Sequence, residues 1–246
     1  MSRQKRFIMA AMRMESFPRG SLAVVVGATG GIGAALCDLL AGSDTFTTPI
    51  GLSRTSRPTL DLGDESSISR CAARVAALGA PRLIVIATGR LQDETMAPEK
   101  SWRQLDGASM ARAFAINAIG PALVMKHFLP LLPASGKSVF AVLSARVGSV
   151  GDNRLGGWYS YRSSKAAVNQ LVRTASVELR RRQPEAICVA LHPGTVDTPL
   201  SAPFRKAGLE VQSPGIAAER LIDVVDRLEA RDSGGFFDQN GEPVPW

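Results

Sequence analysis

Short, continuously apolar runs alternate along this chain with longer stretches of mixed character. Leu22-Ala23-Val24-Val25-Val26 is apolar throughout, as a strand buried on both faces requires. Gly31 to Ala41 then reads as a helix. Pro49 to Leu52 and Thr59 to Asp61 are short strand candidates. A helix follows from Asp64, a suitable N-cap, to Leu78, and Gly79-Ala80-Pro81 ends it. Leu83 to Ile86 is a fourth strand. Ser109 to Leu132 reads as one long helix bent at Gly120-Pro121. Ser138 to Leu143 is the fifth strand, Gly157 to Arg182 holds another long helix, and Ile187 to Leu191 is the sixth strand. Ile216 to Leu228 is a helix, and Gly235 to Phe237 a last strand. This alternation predicts an α/β fold, a Rossmann-type doubly wound parallel sheet. No repeat or linker divides it, so residues 21–246 are expected to form one domain. Residues 1–20, with no clear pattern, are expected to be a disordered basic extension.

Composition narrows the class. Of 246 residues, 45% are hydrophobic and 21% charged, which suits a soluble globular chain able to bury a core without staples. Cys37, Cys71 and Cys188 stand singly, which argues against disulfides or a zinc site and fits a reducing cytoplasm. The net charge of +7 suggests nucleic acid until it is located: the first 20 residues carry five cations against Glu15, leaving only +3 for the rest. With no basic stripe and no interleaved aromatics, no nucleic-acid partner is expected. Gly20 to Cys37 carries no charge, but its five glycines suit a strand, turn and helix better than a membrane span, and no membrane association is expected.

Ligands of such sheets gather beyond the C-terminal strand ends. After the first strand stands Gly27-Ala28-Thr29-Gly30-Gly31-Ile32-Gly33, a turn whose backbone amides can approach a pyrophosphate at a helix N-terminus. Tyr161 and Lys165, four apart on a helix, share one face, and an ammonium there would favour the phenolate. Ser144 follows the fifth strand, where its hydroxyl can hydrogen-bond a substrate oxygen. His192-Pro193-Gly194 lies on the same rim. His127, His192, Arg146 and Arg154 read as structural or solvated groups. Trp158 and Tyr159 suit either packing or a substrate wall.

Taken together, these residues resemble the short-chain dehydrogenase/reductase family from about Leu22 onward. The matching features are GxxxGxG at Gly27, Asp61, Asn117, Ser144, YxxxK at Tyr161, and Pro193-Gly194 followed by Val196 and Thr198. The ending from Phe236 to Trp246 resembles the subgroup related to C-factor, a bacterial cell–cell signalling protein. The resemblance implies carbonyl/alcohol oxidoreduction on a small substrate, with Tyr161 as acid or base. Lys165 would tune Tyr161 and hold the nicotinamide ribose, Ser144 would polarise the carbonyl, and Asn117 would hold a water linked to Lys165. Cofactor contacts would come from Gly27, Thr29, Gly31, Ile32 and Gly33. Asp61 and Leu62 would meet adenine, Ala87, Thr88 and Gly89 the ribose side, and Pro193, Val196 and Thr198 the nicotinamide. A nucleotide-binding signalling role without turnover is the alternative. The resemblance also implies a homodimer or homotetramer packed through the helices of Asn117 and Tyr161, with Ala118, Leu123, Val168 and Leu171 as apolar candidates.

Two positions depart from the family pattern. Val26 replaces the usual Thr, and Ile86-Ala87-Thr88-Gly89 replaces Asn-Asn-Ala-Gly. Cofactor choice falls on Ser53-Arg54 after the second strand. No carboxylate stands there to repel a 2′-phosphate, and Arg54 can pair with one, so NADP is expected over NAD. Residues 200–212 would form a modest lid, with Phe204 and Leu209 as apolar contacts and Arg205 and Lys206 as cations.

Overall fold

The computed structural model describes residues 14–93, 97–201 and 210–246. Six strands, β1 (Leu22–Val26), β2 (Ile50–Leu52), β3 (Pro81–Ile86), β4 (Ser138–Leu143), β5 (Ala186–His192) and β6 (Phe236–Asp238), form one sheet in the order β2-β1-β3-β4-β5-β6. Every pairing is parallel. Period-two alternation sends Val24, Val26, Ile84, Ile86, Phe140 and Val142 to one face. There they meet α2 (Glu65–Ala76), α4 (Gly120–Phe128) and α5 (Tyr159–Arg180). Ala23, Val25, Leu83, Val85, Val139 and Ala141 face the other way, against α1 (Gly31–Ala41) and α6 (Pro214–Arg227). The doubly wound sheet is as expected.

Three expectations need correction. Thr59 to Asp61 is not a strand: the Leu60 amide donates to Ser53 O at 2.9 Å and the Asp61 amide to Ser67 Oγ at 2.9 Å. Its backbone is satisfied by a loop and a helix cap, leaving nothing for a ladder. The helix expected from Ser109 to Leu132 is divided into α3 (Gly107–Phe114), a π-turn over Ala115–Ile119, and α4. Pro121 has no N–H for the Asn117 carbonyl and its ring crowds it, so the turn widens and Gly120 N–H reaches back to Ala115 O. The stretch Gly107–Leu131 is long and apolar enough by length and composition to cross a membrane, but Ala113, Val124 and Phe128 from it are core residues here. Finally, the extension does not all lie outside the fold. Met14 and Phe17 are buried against the sheet, Phe17 tilts onto Phe46 with ring centroids 5.4 Å apart, and Ser16 binds Asp226. Residues 1–13 lie outside the described ones.

Candidate active site

The glycine turn is built for close approach. Gly27 has φ +89°, and a Cβ there would stand 2.9 Å from Ala87 O and from Thr88 Cγ2. A methyl at Gly33 would overlap the Gly27 carbonyl, and one at Gly31 would stand 2.8 Å from Thr198 Cγ2. The turn, the Ala87-Thr88 segment and Thr198 therefore meet over the start of α1. The first helical bond runs from Ala34 N–H to Gly30 O at 2.8 Å, so the amides of Gly31, Ile32 and Gly33 remain available to an anion. The first turn carries no acidic side chain, and no side chain caps it. Thr29 is exposed beside it, and Thr88 Oγ1 is buried without a partner among the described residues. This cradle fits a dinucleotide's phosphates.

At the end of β2, Arg54 and Arg57 are exposed and, among the described residues, form no ion pair. Ser53 is buried, its Oγ accepts Thr55 N–H at 3.2 Å, and its amide donates to Ser56 Oγ, so it shapes the turn that carries Arg54. Asp61 is exposed, with one carboxylate oxygen accepting Gly63 N–H at 2.9 Å. Leu62 covers Gly120, where a Cβ would lie 2.7 Å from its own Cβ.

The residues expected to carry acid–base chemistry meet from separate elements. Ser144 directly follows β4, and its amide donates to Leu191 O. Tyr161 and Lys165 project from the first turns of α5, both buried. Lys165 Nζ donates to Leu143 O at 2.8 Å, one residue from Ser144, and lies 5.8 Å from the Tyr161 ring centre. Gly148 lets the loop after β4 pass the Lys165 backbone, since a Cβ there would stand 2.9 Å from Lys165 C. A Cβ on Gly89 would find Lys165 Nζ at 3.4 Å and Asn117 Oδ1 at 3.7 Å, so these groups converge at one point.

The electrostatics differ from the simple pairing expected of Tyr161 and Lys165. Burial pushes the Tyr161 phenol well above its ordinary value and lowers the Lys165 ammonium to about 8. The phenol is thus protonated across the neutral range, the state a general acid needs. Asn117, in the π-turn, accepts Arg90 N–H at 2.8 Å and donates to Arg90 O and Ser164 Oγ. Its amide braces the loop after β3, where the usual asparagines are absent.

Pro193, Val196 and Thr198 line the loop after β5. Gln212 clasps this loop, with its amide on Thr195 O, its carbonyl accepting Asp197 N–H, and its side chain on Pro193 O at 2.6 Å. The expected lid contacts Phe204, Arg205, Lys206 and Leu209 lie outside the described residues.

Sequence reading missed three residues. Glu99 is buried, its carboxylate receives the Ser160 amide and hydroxyl, and its carbonyl receives Trp158 N–H. It pins the start of α5 where Trp158 adopts φ 53°, with the Trp158 ring edge-on to Tyr161 at 6.3 Å. Asn169 binds Ser144 Oγ. The third is Gln212. Only Asn169 left a signal: it stands four residues after Lys165, continuing the Tyr161 stripe.

Burial lowers His192 to about 4, Asp238 opposes that shift and Arg146 adds to it. A folded value below the unfolded one means the native state binds fewer protons between about pH 4 and 6.5. Stability should therefore fall as pH drops through that window, by up to about 3 kcal/mol. Denaturant melts should show His192→Gln flattening this loss. An unchanged slope would mean that His192 is not its source.

The chain matches the short chain dehydrogenase family over residues 21–208, and it belongs to that family. As a short-chain dehydrogenase/reductase it is an NAD(P)-dependent oxidoreductase by class. Among relatives, the C-signal of Myxococcus xanthus is 41% identical over 144 residues, covering 58% of this chain and 81% of that protein. This agrees with the resemblance to the C-factor-like subgroup. The 1-hydroxy-2-glutathionyl-2-methyl-3-butene dehydrogenase of Rhodococcus sp. (strain AD45) is 32% identical over 195 residues, covering 78% of this chain and 80% of that one. Among solved structures, an NADPH-bound carbonyl reductase from chicken fatty liver superposes with a TM-score of 0.79 at 24% identity, covering 95% of this chain and 96% of that one.

Proposed function

We propose that this protein is an NADP(H)-dependent oxidoreductase that interconverts a small carbonyl compound and its alcohol. The observation that carries this reading is the seating of Lys165 Nζ on Leu143 O, beside Ser144 and 5.8 Å from the Tyr161 ring centre. The amides of Gly31, Ile32 and Gly33 would hold the pyrophosphate, Arg54 the 2′-phosphate, and Pro193, Val196 and Thr198 the nicotinamide end. Bound NADPH would supply a hydride to the carbonyl carbon.

The protein's part is to bind the carbonyl oxygen and protonate it. Ser144 and Tyr161 hydrogen-bond the oxygen, and Tyr161 gives up its proton as negative charge develops there. Burial keeps the phenol protonated but makes it a weaker acid, so delivery of its proton depends on Lys165, whose ammonium would stabilise the phenolate left behind. This proton-transfer set is needless for a protein that only binds nucleotide, so turnover is favoured over a purely signalling role. Loss of NADPH absorbance with a carbonyl panel, from diacetyl and isatin to simple aldehydes, tests it. NADPH binding without reduction of any panel member would count against it.

Assembly follows the same helices, with different residues from those expected. Ala118 and Val168 are buried, and Leu123 and Leu171 pack on the core. Ile119 beside Asn117 is instead 53% exposed, and Val177 on α5 is 46% exposed. A homodimer through these helices is expected to become monomeric on Ile119→Glu, with sedimentation velocity as the measurement. A wild-type monomer at working concentration would contradict it.

A further inference from the structure

Ser144 has one hydroxyl proton, and in this structure that proton is committed to a neighbouring side chain. Its Oγ donates to Asn169 Oδ1 at 2.6 Å, within a buried pair. The Nδ2 of the same amide is buried with no partner among the described residues. A buried NH2 left unmade beside a catalytic hydroxyl is an unusual arrangement. Asn169 lies one helical turn beyond Lys165 and two beyond Tyr161, so one stripe of α5 carries all three.

We infer that Asn169 is a positioning residue whose side-chain amide sets the direction of the Ser144 hydroxyl proton. A half-turn of that amide brings Nδ2 to Ser144 Oγ. The orphaned NH2 then donates to Oγ, and the hydroxyl proton is released toward the substrate oxygen. No bond is broken; one hydrogen bond reverses direction. An amide can do this because it carries a donor and an acceptor at nearly the same positions. A carboxylate cannot, since it only accepts. The inference rests on the catalytic reading given above for Ser144 and Tyr161.

Asn169→Asp separates this role from a structural one. The carboxylate keeps the bond from Ser144 Oγ, so a structural role predicts a milder effect than for Asn169→Leu, which removes it. A positioning role predicts the reverse order in kcat. With NADPH and the panel compound isatin, Asn169→Asp is expected to lose at least about tenfold in kcat, with KM for NADPH within about twofold of wild type. Asn169→Leu, which leaves the Ser144 hydroxyl free, should lose less.

In a Ser144→Ala background neither substitution should cost anything further, because the proton to be directed is gone. Thermal melts and NADPH titration establish that each variant is folded. If Asn169→Asp does not fold, the Asn169→Leu cycle with Ser144→Ala decides alone. Losses that multiply in the double variant would overturn the assignment, as would wild-type kcat in Asn169→Asp. Retained activity in Tyr161→Phe would instead overturn the catalytic reading beneath it.

Discussion

Tyr161→Phe is expected to lower carbonyl reduction by at least about a hundredfold, the scale of a lost general acid. The ring would stay in place: Tyr161 is buried, packs edge-on to Trp158, and lies in the first turn of a helix pinned by Glu99. Only the hydroxyl is removed. The loss should therefore appear in kcat with NADPH affinity largely kept, because the phosphate cradle and Arg54 lie on other elements. Steady-state kinetics beside a fluorescence titration of NADPH separate the two. The variant should also lose the pH dependence that belongs to the phenol. Turnover near wild type would show that another group delivers the proton.

Arg54→Ala is expected to weaken NADPH binding about ten- to a hundredfold, corresponding to roughly 1.5–3 kcal/mol for a charge-assisted pair with phosphate. NADH binding should change little. Arg54 is exposed, without an ion pair among the described residues, at the end of the strand next to β1. Arg57 is exposed in the same turn and supplies a smaller second charge. Ser53 is unsuitable for testing repulsion, because its buried hydroxyl holds the turn together. Arg54→Asp places a carboxylate on the exposed position and should move preference further toward NADH. Titrating both cofactors against wild type and the two variants measures this. Wild-type preference for NADH, or an equal loss for both cofactors, would remove the phosphate-binding role.

The sheet itself was legible because its strands are buried on both faces. Leu22 to Val26 and Val139 to Leu143 are apolar at every position, and such runs have no other good home in a soluble chain. The helices' amphipathic periods place them between the strands. Thr59 to Asp61 is only three residues long, too short a pattern to reveal that its amides already have partners in Ser53 and Ser67. The π-turn was half legible. Gly120-Pro121 marks a break, but the widening falls on the turn before it, where the missing N–H is felt.

Composition and local pattern by themselves determined the α/β class, the strand-to-helix glycine turn, and the spacing that sets Tyr161 and Lys165 on one helical face. These depend on backbone sterics and helical period, which act within a few residues. What tertiary structure alone decided is which distant groups share a proton or a hydrogen bond. Leu143 O receives the Lys165 ammonium, Asn169 receives the Ser144 hydroxyl, Glu99 pins α5 from 60 residues away, and Asn117 braces Arg90. Burial likewise reversed the expected balance at Tyr161, since desolvation depends on how many elements close over a group and not on its neighbour four residues along. Such contacts are fixed only when the sheet brings the ends of β3, β4 and β5 side by side, because a hydrogen bond needs a few tenths of an ångström that no sequence spacing specifies.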